Sequence, residues 1–110
     1  MSVCEILREG SGARVILEGK LTATEVPELQ TRIKAEIAGG ATEVVVDLAS
    51  TTQIDSTGIG LLIAVHNSLG PLRGSVQVIN AGPDIFGLLR SMRLVERLRV
   101  TAASRENTNG

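Results

Sequence analysis

A chain of 110 residues with an apolar fraction of 43% can build one domain around a real core and is too apolar to be mainly disordered. A net charge of −1 argues against a polyanion partner, and Phe86, the one aromatic residue, cannot supply the stacking platforms that single-stranded nucleic acids use. No apolar run approaches the ~20 residues of a membrane span, and the N-terminus lacks a signal-peptide pattern. The lone Cys4 cannot close an internal disulfide, so a reducing cytoplasm is the expected location. The charge is unevenly divided: residues 1–70 carry five basic and nine acidic side chains, and residues 71–110 carry six and three.

In chain order, Val3–Arg8 and Arg14–Gly19 read as strands joined through Glu9-Gly10-Ser11-Gly12. The two glycines there allow a tight hairpin. Thr24 is placed to cap a first helix, with Pro27 in its first turn and Val26, Leu29, Ile33 and Ile37 as its apolar stripe. Gly39-Gly40 ends that helix. Val44–Leu48 is almost wholly apolar, which predicts a central strand covered on both faces. Ala49–Gln53 is a polar, turn-forming segment, and a second helix follows from Ser56 to Leu69.

Gly70-Pro71 breaks the chain before a strand at Ser75–Asn80. A third helix over Asp84–Met92 has the stripe Ile85, Leu88, Leu89 and Met92. Leu98-Arg99-Val100 predicts a short last strand. The domain is expected to span residues 1–101, with residues 102–110 a polar, disordered tail. The predicted fold is α/β: one domain with a mixed, mostly parallel sheet, fed by an N-terminal hairpin and packed by helices.

The chemistry concentrates at Ile54-Asp55-Ser56-Thr57-Gly58. The first N–H groups of a helix have no intrahelical partner, and the dipole there favours negative charge. A Ser56 hydroxyl can therefore cap the helix or carry a phosphate; Asp55 could equally cap it, leaving Ser56 in the first turn. Asp47 and Asp55 could approach as a carboxylate pair. No His or third carboxylate joins them at ligand spacing, so no metal is expected.

A nucleophilic Ser needs a base within hydrogen-bond reach, and the only His, His66, lies ten residues along the same helix, about 15 Å away. Neither a Gly-x-Ser-x-Gly elbow nor a P-loop is present, so the expectation is a non-enzyme without cofactor or catalytic residues.

From Ser56 through Leu72 there is no charged side chain, which is unusual for a surface helix. On a helical wheel Ile59, Leu62, Ile63, His66 and Leu69 share one face, and Thr57, Gly60, Ala64, Asn67 and Ser68 the other. The outward side would be small, flat and uncharged, suited to a docking protein, with Leu61 and Val65 as flanking apolar contacts. The competing reading is internal packing, with the third helix alongside.

The element order, Val46-Asp47-Leu48, and above all Asp55-Ser56-Thr57-Gly58-Ile59-Gly60 resemble the STAS domain family, and within it the bacterial anti-sigma factor antagonists. Gly19-Lys20-Leu21 and Asn80-Ala81-Gly82-Pro83 fit as well, so the resemblance covers about residues 3–100. Thr22 departs from it, since members often carry an acidic residue there, and the tail lacks the further helix many members have. The resemblance implies a phosphorylation-controlled binding switch. Unphosphorylated, the domain would bind an anti-sigma factor that is itself a serine kinase, releasing a sigma factor for transcription. Phosphate on Ser56, with Thr57 the fallback acceptor, would end binding, and a serine phosphatase would restore it. The implied binding residues are Asp55, Ser56, Thr57, Gly58, Gly60, Leu61, Ala64 and Val65. The alternative is a structural STAS subunit of a transporter or signalling scaffold, indifferent to phosphate.

Overall fold

The computed structural model describes residues 3–103. The hairpin strands β1 (Val3–Glu9) and β2 (Gly12–Leu21) pair antiparallel, and Gly10 supplies the positive φ their two-residue turn requires. Helix α1 (Val26–Ala38) leads to β3 (Glu43–Asp47). A short β4 (Thr51–Ile54) then precedes α2 (Ser56–Leu69). A 3-10 turn, β5 (Ser75–Ala81), α3 (Pro83–Ser91) and β6 (Val100–Ala102) complete the described chain.

The sheet order is β1-β2-β3-β5-β6, with every pairing after the hairpin parallel. From β2 onward each crossover steps across the sheet in the same direction. Since parallel crossovers are right-handed, all three helices must lie on one face. Burial agrees: Val15, Leu17, Val44, Val46, Leu48, Val76 and Val78 are sealed beneath the helices, while Val45 and Ile79 between them are only half-buried. The expectation that Val44–Leu48 is covered on both faces is thus corrected. The strand is apolar because its outer face carries Val45, without a helix above it.

Other expectations shift locally. Thr24 does not cap α1: the Glu25 carboxylate turns back to accept from the Thr22 N–H (3.0 Å) and hydroxyl (2.6 Å), and Thr24 is left exposed. The polar segment after Leu48 contains β4, which continues along β2 where β3 leaves it. Its Thr51 is buried and donates to the Leu17 carbonyl at 2.8 Å, a tertiary bond that local polarity could not reveal. Of the α3 stripe, Ile85 and Leu89 face the core, whereas Leu88 and Met92 are exposed, because a short helix over the edge strands meets the core along one line.

The last strand begins at Val100, since residues 94–99 wind into turns closed by Leu98 N–H to Leu94 O and Val100 N–H to Val95 O. Ala102 belongs to β6, and the Ala103 N–H donates to Ala81 O, so the sheet reaches past the expected boundary at 101. The rest of the expected tail, 104–110, lies outside the described residues.

Candidate functional site

The C-terminal ends of β2, β4 and β5 gather at one pole of the sheet, and α2 starts there. Asp55 is the N-cap: its backbone is extended, and one carboxylate oxygen accepts from the Gly58 N–H at 2.9 Å. The other oxygen accepts from the Ala23 N–H at 3.0 Å, in the connection between β2 and α1. These backbone donors, Gly58 foremost, hold the Asp55 carboxyl below its ordinary pKa.

With Asp55 as cap, Ser56 occupies the first turn. Its side chain is exposed and bonds to no other described residue. Thr57 beside it is exposed too. Gly58 is buried because the chain crosses here at close quarters: a Cβ would collide with the Leu21 carbonyl oxygen. No larger residue fits.

Asp47 does different work. One oxygen accepts from the Ala49 N–H and from Asn80 Nδ2, both at 3.0 Å, and the other lies 3.4 Å from Arg14. It fixes the turn between β3 and β4, with Asn80 held in the left-handed region at φ 59°. Asp47 and Asp55 thus serve separate turns, and among the described residues no cluster of three metal-ligating side chains occurs. His66 lies near the far end of α2 and cannot reach Ser56 as a base.

Along α2 the buried stripe is Gly58, Ile59, Leu61, Leu62, Val65 and Leu69. Leu61 and Val65, expected as flanking contacts for a partner, are 3% and 4% exposed and belong to the core. The reason is the neighbouring helix. α1, not α3, lies beside α2, and Ile33 and Ile37 meet Leu61 and Val65 across the seam. Ala64 is half-buried at the edge of that seam. Gly60 is exposed, with open space where a Cβ would point.

The exposed positions of α2 are Ser56, Thr57, Gly60, Asn67 and Ser68, so of the outward face expected from the sequence only Ala64 is half-buried. Half-buried Ile63, packed against the core, borders these positions beside Ser56, Gly60 and Asn67. Ile63 thus keeps the inward contact that its place on the helical wheel predicts, with part of its side chain left accessible.

The model for "Mlab, STAS domain" matches residues 4–100, and the chain belongs to the STAS domain family. No curated protein matches the chain. Among solved structures, an anti-sigma factor antagonist from Mycobacterium paratuberculosis superposes with a TM-score of 0.81 at 20% identity, covering 97% of this chain and 90% of that one. The Bacillus cell fate determinant SpoIIAA in its phosphorylated form gives 0.77 at 18%, covering 96% and 95%. A sulfate transporter family protein from Wolinella succinogenes gives 0.71 at 15%, covering 86% and 79%. At such identities the likeness is one of fold. No helix among the described residues is long and apolar enough to cross a membrane.

Proposed function

We propose that the protein is an anti-sigma factor antagonist, a binding switch that holds an anti-sigma factor while Ser56 is unphosphorylated and releases it when Ser56 carries phosphate. One observation carries this reading: an exposed serine hydroxyl, bonded to no other described residue, in the first turn of a helix whose outward strip is uncharged. The partner closes over Ser56, Gly60, Ile63 and Asn67, with Thr57 and Ala64 at the margin. A phosphate there adds roughly −1.5 to −2 charge, which must lose its water under an uncharged contact. Asp55, ionised next door, makes that worse. The family's anti-sigma factors act as serine kinases toward such a hydroxyl, and a phosphatase resets it.

The test is reconstitution. A kinase-type anti-sigma factor captured from the native extract, given ATP, should add one phosphate to this chain, on Ser56, and none to Ser56→Ala. Labelling of Ser56→Ala to the parent level would remove the assignment. The likeness to the Wolinella transporter protein favours a second reading, a structural STAS subunit. Capture of transporter subunits, with binding unchanged in Ser56→Asp, would establish that one instead.

A further inference from the structure

Sheets whose strands run parallel are found almost only with both faces covered. Here β2, β3, β5 and β6 are parallel and, among the described residues, the face away from the helices has no element over it. In register across it lie Glu5, Ile16, Asp47 and Ile79 in one row, and Leu7, Arg14, Val45 and Gln77 in the next. Leu7 is 48% exposed on this edge. Where Gly12 contributes no side chain, a hollow of about 250 Å³ opens between Glu9 and Glu43, walled by Leu7, Arg14 and Val45.

The face carries five carboxylates, Glu5, Glu9, Glu18, Glu43 and Asp47, against two basic side chains, Arg14 and Lys20. The excess of carboxylates means that two such faces pressed together would repel, which disfavours a two-fold dimer through them. Its cover must be cationic.

The same chain supplies a cationic surface elsewhere. Arg73 comes off the turn entering β5, and Arg90, Arg93, Arg97 and Arg99 come off the end of α3 and the connection entering β6. All five are exposed, and none forms an ion pair or side-chain hydrogen bond with another described residue. Glu96 is the one acidic side chain among residues 85–103. Leu72 and Met92, 48% and 46% exposed, accompany the arginines. An apolar, anionic face and an apolar, cationic end are thus present on one molecule of nearly zero net charge, a condition that favours association.

We propose that the bare sheet face of one copy receives the arginine-rich end of a second copy, one guanidinium entering the hollow between Glu9 and Glu43. The contact joins two different surfaces, so it is head-to-tail and can repeat. It leaves the Ser56 pole uncovered, and it stands or falls independently of the switch.

Sedimentation velocity on the whole chain tests it. At about 20 mM salt the average mass should at least double as concentration rises from about 10 μM to about 1 mM, and at about 300 mM salt it should fall back toward monomer. Two partly neutralised variants refine this: Glu9→Gln/Glu43→Gln removes the two carboxylates flanking the hollow, and Arg93→Gln/Arg97→Gln removes two of the five arginines of the cationic end. Each alone should stay monomeric. Their equimolar mixture should yield a particle of two chains and nothing larger, since only one matched pair of surfaces remains. A wild-type chain monomeric throughout at low salt overturns the proposal, whatever else covers the face. So does assembly indifferent to salt, or variants that associate like the parent. The wild-type salt series needs no variant, so it decides the matter even if a double substitution fails to fold.

Discussion

The Asp55 carboxylate accepts a hydrogen bond from the Ala23 N–H at 3.0 Å while its other oxygen caps α2 at Gly58. One side chain thereby ties the β2–α1 connection to the first turn that carries Ser56. Asp55→Asn should retain the Gly58 cap, because an amide oxygen can still accept, but lose Ala23, since its other atom is a donor. Asp55→Ala should lose both and melt lower than Asp55→Asn. The ionised form is the one the fold stabilises, so its contribution is full above the ordinary carboxylate pKa of about 4 and fades as pH falls through the depressed folded value. The gap in melting temperature between wild type and Asp55→Ala should therefore narrow in acid. A gap that widens below about pH 4 would contradict this role.

Two glycines two residues apart should respond oppositely to alanine. At Gly58 the new Cβ meets the Leu21 carbonyl oxygen, backbone that cannot turn aside, and the loss should be at least about 2 kcal/mol. At Gly60 nothing lies within 4 Å, and alanine should stabilise the helix by up to about 1 kcal/mol. Urea melts of the two proteins make the comparison. Equal effects would mean that the close approach at Gly58 is not present in solution.

Gly60→Glu tests the docking strip without disturbing the core, which Ala64→Lys would not, because Ala64 borders α1 near Lys34. Affinity for the anti-sigma partner should fall at least about ten-fold, as expected for a charge forced into a closing contact. Ser56→Asp should weaken binding in the same way while moving the melting temperature by only a few degrees, about 1 kcal/mol or less. Titration calorimetry and thermal melts together separate the effects. Unchanged affinity in a folded Gly60→Glu protein would place the partner elsewhere. A collapse of stability in Ser56→Asp would make the switch conformational.

Much of this arrangement was legible in the residues. Val44–Leu48 and Ser75–Asn80 identify the parallel strands, and Asp55-Ser56-Thr57-Gly58 identifies the start of the helix at the site. What escaped was set by contacts far apart in sequence. Leu61 and Val65 sat at the margin of a wheel drawn for a helix buried on one side only; α1 seals a second side and turns them inward. Thr51 and Thr52 read as turn residues, yet their hydroxyls bond the carbonyls of Leu17 and Gly19, more than thirty residues away. Glu25 displaced Thr24 because its carboxylate could reach two donors on Thr22.

Asn80 offers a test of the turn beside the site. Its φ of 59° suits Asn or Gly, and its amide donates to Asp47, which in turn holds Ala49. Asn80→Gly forfeits only the hydrogen bond, about 1 kcal/mol, whereas Asn80→Ala adds about 1 kcal/mol more of backbone strain. Alanine should thus be the worse substitution by chemical denaturation. The reverse ranking would show that the left-handed geometry at Asn80 is not maintained.

The single direction in which the crossovers step also bears on how the molecule is born. After the hairpin, each long strand is laid beside the one that left the ribosome before it, so no strand waits for a partner from the far end of the chain. The Asp55–Ala23 tie can close once α2 is synthesised, before any residue of β5 exists. Asn80 then arrives to lock Asp47, and the three residues of β6 come last, closing the outer edge of β5. The topology lets the domain be assembled in the order in which it is read.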